Sequence, residues 1–212
     1  MEGRQKGLLQ RGRIRTTAVL IILVLIVGAA GWILTDDKSQ KAQKRTMEEQ
    51  KMTGTAAQQE NEGSRDMSAN PLTLQEHSGI ASAVERYYRK LGDETSFVEG
   101  YENLKVYTKL GKYQDTYVAF VRYDMRIRDV YTRVPGLGTV YVTGDGEGRY
   151  QVETDAADQE IQDFVETVAA HEDVQELFQE TKDSYQEAVR SDALLQEALL
   201  DLKEAYEDST GS

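Results

Sequence analysis

From Thr16 to Leu34 the chain reads TTAVLIILVLIVGAAGWIL, a run of roughly nineteen residues without a charge. As a helix that run is roughly 28 Å long, close to the hydrocarbon thickness of a bilayer. Each central Leu, Ile or Val favours insertion by about 0.3–0.6 kcal/mol. The polar residues Thr16 and Thr17 stand at one edge, Trp32 lies near the other, and Asp36, Asp37 and Lys38 close the run abruptly. An indole ring suits the membrane interface. A helix buried in a globular core would normally show a polar face, and this one shows none. The sequence predicts a transmembrane helix over 16–34, with the lipid bilayer as its first partner.

The flanks set the orientation. Arg4, Lys6, Arg11, Arg13 and Arg15 precede the run against a single Glu2, and aspartates follow it. The positive-inside rule makes residues 1–15 a basic cytoplasmic tail and puts the rest of the chain outside. Such a tail is too short to fold and is expected to touch anionic lipid. The alternative is a signal peptide cleaved near Gly28–Gly31, giving a secreted form. Trp32, Ile33 and Leu34 extend the apolar run past those small residues, and a clean A-x-A site is missing.

Composition narrows the partners of the remainder. The formal net charge is -12, and a strongly acidic surface repels phosphate backbones, so nucleic acid is excluded as an expected partner. The absence of cysteine removes disulfides, thiolate chemistry, cysteine zinc sites and a lipoprotein anchor. Residues 35–70 are rich in Gln, Lys, Glu, Ser and Gly. They have little to bury against chain entropy and read as a disordered linker.

Residues 71–154 read as a helix plus an antiparallel sheet. Asn70-Pro71 has the form of a helix cap and first turn. Ile80, Val84, Tyr87, Tyr88 and Leu91 then recur at helical spacing before Gly92. The period next changes to two. In NLKVYTK, Leu104, Val106 and Thr108 alternate with Lys105, Tyr107 and Lys109. In TYVAFVRYDMRIR, Tyr117, Ala119, Val121, Tyr123, Met125 and Ile127 share one face, while Val118, Phe120, Arg122, Asp124, Arg126 and Arg128 share the other. VPGLG (134–138) reads as a strand-joining loop, TVYVT as a strand, GDGEG (144–148) as a hairpin turn and RYQVE as its partner. Short turns between consecutive strands imply an antiparallel meander. Residues 155–208 return to a 3.6 period, with apolar stripes through Phe164 and Val168, Val174 and Leu177, and Leu195 and Leu202. Their remaining faces are acidic and read as solvated.

The order helix, curved antiparallel strands, helices, with Tyr87-Tyr88 ending the first helix, resembles the cone-shaped α+β fold of nuclear transport factor 2 and cystatin-like relatives. The wording AVERYY, EGYENLKVYTK, TYVAFVRYDMRI and VPGLGTVYV, followed by an acidic helical tail, is similar to that of uncharacterised membrane-anchored envelope proteins of Gram-positive anaerobes. The similarity runs from about Val84 to Tyr206. It implies a cone-like fold and an envelope location and brings no activity with it.

No catalytic or metal constellation emerges, and no cofactor is expected. On a cone fold an acid or base must sit inside the pocket. Asp124, near Tyr88, Tyr117 and Tyr123, is the candidate, but alternation puts it on the face of Arg122 and Arg126, where it should pair outward. His77 and His171 read as solvent-exposed helix residues, far apart and outside any two-histidine metal motif. Asp145 and Glu147 lack the further oxygen ligands that a Ca²⁺ loop needs. Among the twelve tyrosines, some stand where aromatics grip sugars or peptides. Tyr88, Tyr117, Tyr123, Pro135 and Leu137 form the expected ligand or partner surface. The expectation is a noncatalytic envelope module that binds a protein, peptide or wall component, with a small-molecule or enzymatic cone pocket as the alternative.

Overall fold

The structure, a computed structural model, describes residues 59–76, 78–153 and 158–210, with side chains through Ala205. The run Thr16–Leu34 and its basic flank lie outside the described residues. So do His77 and Asp155. Among the described residues, no helix is long and apolar enough to cross a membrane.

The folded part is α+β. Five strands, β1 (Thr73–Gln75), β2 (Val98–Leu110), β3 (Thr116–Ile127), β4 (Val134–Gly144) and β5 (Tyr150–Glu153), form one antiparallel sheet in sequential order. The four described helices are α1 (Gly79–Glu94), α2 (Gln159–Ala169), α3 (Glu172–Ser191) and α4 (Ala193–Thr210). The meander expected from the short turns is therefore present. At the hairpin joining β4 to β5, Gly146 and Gly148 take positive φ, and Asp145 Oδ1 accepts from the backbone N–H of Glu147 and Arg149. Asp145 thus shapes a turn, as expected.

Strand alternation divides β3 between two cores. Ala119, Val121, Tyr123, Met125 and Ile127 face α1, where Ile80, Val84, Tyr88 and Leu91 pack on them. Val118 and Phe120 face the other way, against Phe164 of α2 and Val174 and Leu177 of α3. Burying one such side chain fully contributes about 1.5–3 kcal/mol, so the sheet is held from both sides.

Helix α3 takes part in both cores. Its first half joins the α2 side through Val174 and Leu177, while Tyr185, Ala188 and Val189 pack on the α1 side. These residues form one apolar stripe on the helix. The strand beside α3 is β4, and β5 pairs only with its last residues, Tyr141–Gly144. The helix thus crosses the open part of the β4 edge, which is one way a sheet edge is covered.

Three expectations are corrected. Helix α1 does not begin at Asn70-Pro71. Its N-cap is Ser78, whose side chain accepts from Ala81 N, and Asn70 instead serves the strand edge. VPGLG is not a connecting loop. Residues 134–138 belong to β4 and pair with Met125 back to Val121. Pro135 is tolerated because that stretch has no strand on its outer side. The glycines face the tyrosines: a Cβ on Gly136 would stand 2.5 Å from the Tyr123 ring, and one on Gly138 would collide with the Tyr88 hydroxyl.

The third correction concerns the linker, whose last twelve or so residues are packed onto the sheet. Asn61 Nδ2 donates to the carbonyls of Gly111 (3.0 Å) and Tyr113 (2.6 Å). Asn70 is 2% exposed. Its Nδ2 donates to Ser64 O and its Oδ1 accepts from Leu110 N, both at 2.7 Å. Two side-chain amides thus supply the polar partners that β1, only three residues long, leaves unmatched. This is how a polar segment can fold without apolar mass.

Candidate functional site

Of the residues expected to form a ligand surface, Tyr88 and Tyr123 come together inside the first core. Their ring centroids are 5.3 Å apart and each is 2% exposed. Tyr117 shares that face of β3 but stacks edge-on against Tyr150 at 5.9 Å. Leu137 packs on the opposite face with Phe120 and Phe164, and neighbouring Pro135 stands in register with Asp124. The five residues therefore do not make one surface.

The face that a cone-shaped pocket would use is filled. Tyr88, Tyr123, Val121, Met125 and Leu195 occupy it, each at most 2% exposed. Asp124 lies on the other face, as alternation requires, but its partner is Asn103 Nδ2 at 2.8 Å. Arg122 turns to Glu180 and Ser184, and Arg126 to Glu99 and Glu102.

A cleft of about 370 Å³ opens instead beside the tyrosines, between the second half of α1 and the first half of β2. That volume is at the lower end for small-ligand sites. Helix α1 contributes Glu85, Tyr88, Arg89, Gly92 and Asp93; β2 contributes the unbroken run Glu99 to Leu104. The local backbone explains the opening. Register shifts interrupt the β2–β3 ladder between Val98 and Gly100 and between Glu102 and Lys105, and Asn103 sits at φ 52°. Such bulges bend a strand and re-aim its side chains. The floor is aromatic: Tyr101 meets Tyr88 edge-on at 5.2 Å and Tyr123 at 5.0 Å.

Three groups of the cleft are shifted away from their ordinary values. Burial, then the neighbouring Tyr87, pushes the Tyr101 hydroxyl up to about 12. Burial, reinforced by Tyr123, carries Tyr88 well above its ordinary value. Both stay neutral donors at physiological pH. Hydrogen bonds from Arg133 and then Arg126 hold the Glu102 carboxyl below its usual range, so it stays ionised. No described ion pair engages Glu85, Arg89 or Asp93 of the rim. Among the described residues, no group of three or more His, Asp or Glu is arranged to hold a metal.

No family model, curated protein or solved structure matches the chain. The cleft must therefore be read from its own chemistry.

A second polar constellation escaped sequence reading. Lys109, which alternation assigns to the outer face, has a fully buried side chain. Its Nζ donates to Asn70 O at 2.7 Å and Asp173 Oδ2 at 2.6 Å. Asp173 Oδ2 also accepts from Leu72 N at 2.9 Å. His171 is not a free surface residue. It occupies the N-cap position of α3, its Nε2 lies 3.1 Å from Arg65 O, and its Nδ1 is buried without a described partner. Lys112 likewise reaches Glu160 of α2 and Glu60. These contacts fasten residues 60–72 to the helices and read as architecture. No sequence signal marks them, because a Lys in an alternating strand normally reports a solvated face.

Proposed function

We propose that this chain is a single-pass, membrane-anchored binding module of the cell envelope, with residues 1–15 in the cytoplasm and the α+β domain outside. The observation that carries this reading is the uncharged run Thr16–Leu34 between an arginine-rich flank and Asp36-Asp37. The cone-fold and envelope resemblances point the same way. The filled first core supports binding over pocket chemistry, since Tyr88 and Tyr123 occupy the space a buried substrate would need. What remains open is the cleft between α1 and β2, a surface suited to a protein, peptide or wall component. Near neutral pH the cleft's tyrosines stay neutral and its Glu102 stays ionised, and neither is suited to shuttling a proton there.

The test is topological. A tag at the carboxyl terminus is followed by immunoblot after protease treatment of intact cells and of lysed cells. The expected result is digestion in both, with the full-length species in the membrane fraction. Protection in intact cells and digestion only after lysis overturns the orientation and the envelope role together. A shortened species in the medium supports the secreted alternative.

A further inference from the structure

Strand β2 outruns its neighbour. Register pairing with β1 covers only Val106–Thr108, so the half of β2 before Val106 is an edge with no strand beside it among the described residues. That same half lines the cleft with six consecutive residues, Glu99 to Leu104. Successive side chains of a strand point to opposite faces. Two bulges break that alternation here, and a cleft lined by all six residues runs along the strand instead of over one face of it. Three separate features meet there: an unpaired edge, an aromatic floor and a rim where Glu85 and Asp93 stand with Arg89 and without a described ion pair, while Glu99 and Glu102 are already held by Arg126 and Arg133.

We propose that the cleft receives an extended basic peptide segment, laid along the open edge of β2 with Lys or Arg side chains directed at Glu85 and Asp93. This rests on the reading of the domain as a binding module and names its ligand class. Edge addition draws affinity from main-chain hydrogen bonds and specificity from alternate side chains. The dimensions agree. Glu85 and Asp93 are eight residues apart on α1, or about 12 Å of rise. Alternate residues of an extended chain advance about 7 Å, so two basic residues four apart reach both carboxylates. Their stems cross Tyr101, whose ring face attracts a cation. The charge of -12 steers a basic ligand inward. The bulges at Glu99 and at Asn103–Leu104 disfavour a long flat partner strand, hence a second copy of the sheet, and leave room for a short segment.

The experiment uses the full chain in phosphatidylcholine nanodiscs, so that the probe has no anionic lipid to bind. A fluorescein-labelled, capped hexapeptide of alternating Lys and Val is titrated by anisotropy, beside its Glu–Val counterpart. The expected result is saturable binding of the Lys peptide alone. Binding weakens five- to tenfold in the E85Q/D93N variant, whose two changes are on exposed side chains, and weakens again as salt rises from about 0.05 to 0.5 M. Methylating alternate amides of the probe, which leaves its charge intact, should lower affinity about tenfold. Equal binding of the Glu peptide, indifference to E85Q/D93N, indifference to amide methylation, or no saturation up to millimolar peptide each overturns the proposal. The two readings fail separately: a domain digested on intact cells that ignores the Lys peptide keeps its role as an anchored module and loses this ligand. A protected domain that binds the peptide loses its place in the envelope and keeps the ligand.

Discussion

Placing a methyl group on Gly138 tests the central packing argument, that the glycines of β4 exist to seat tyrosines. A Cβ at this position collides with the Tyr88 hydroxyl, whereas the nearest ring carbon, Cζ, stands at an ordinary 3.4 Å. Tyr88 cannot step aside easily, since Tyr87, Tyr101 and Tyr123 all lie within 5.5 Å ring to ring and Val84 is fully buried in the same core. Overpacking of this kind costs about 1–3 kcal/mol, and the tight surroundings place Gly138→Ala at about 2–3. Without the collision the sign would reverse, because alanine is favoured over glycine in a strand by about 0.5–1 kcal/mol. For a domain of this size the predicted loss lowers Tm by about 5–10 °C. Urea and thermal unfolding followed by circular dichroism read both quantities. The double variant Gly138→Ala with Tyr88→Phe removes the colliding oxygen and should recover at least half the loss. Gly100→Ala, where nothing lies within 4 Å of the new atom, should be neutral or slightly stabilising. A neutral Gly138→Ala, or no rescue by Tyr88→Phe, refutes the reasoning.

Two further outcomes follow from the segment fastened along β2. Asn70→Ala removes three hydrogen bonds, two of them at 2.7 Å and the third to Leu110 O at 3.1 Å, from a buried site and should cost about 2–3 kcal/mol in urea unfolding; a loss under about 0.5 would mean the segment is not held as described. Burial pushes the Asp173 carboxyl up, but the hydrogen bonds from Lys109 and Leu72 N outweigh it, and its pKa is lowered. A lowered folded pKa means that this stabilisation is present above the unfolded value near 4 and is lost as pH falls through the folded one. The wild-type chain should therefore lose stability below about pH 4 more steeply than Asp173→Asn; parallel curves would rule out the linkage.

The elements legible in the sequence were those whose side chains meet an environment set by local period. The stripe of α1, the two faces of β3 and the GDGEG hairpin are of this kind. VPGLG reads as a loop because glycine and proline normally punctuate chains. Here Pro135 sits on a strand edge and the glycines make room for rings contributed by α1 and β3, a requirement that no local window contains. Residues 59–70 read as disordered because low hydrophobicity predicts disorder, whereas the amide side chains of Asn61 and Asn70 replace apolar mass with polar fit. The cleft was invisible for a similar reason. It opens where β2 is bulged and runs on beyond its pairing with β1, and strand register and relative strand length are tertiary facts. Tyr88 stands out in the sequence by its ring; Glu85, Asp93 and Tyr101, which line the cleft with it, carry no signal that separates them from any surface acid or core aromatic.

Helix α3 has a consequence for how the domain comes apart. A sheet with separate apolar layers above and below could in principle shed one and keep the other. Because a single stripe of α3 supplies Val174 and Leu177 to one layer and Tyr185 and Val189 to the other, peeling that helix away undermines both at once. Loss of either layer is then transmitted to its opposite, and the amide protons of α1 and α2, which cover the two faces of β3, are expected to exchange in one concerted event.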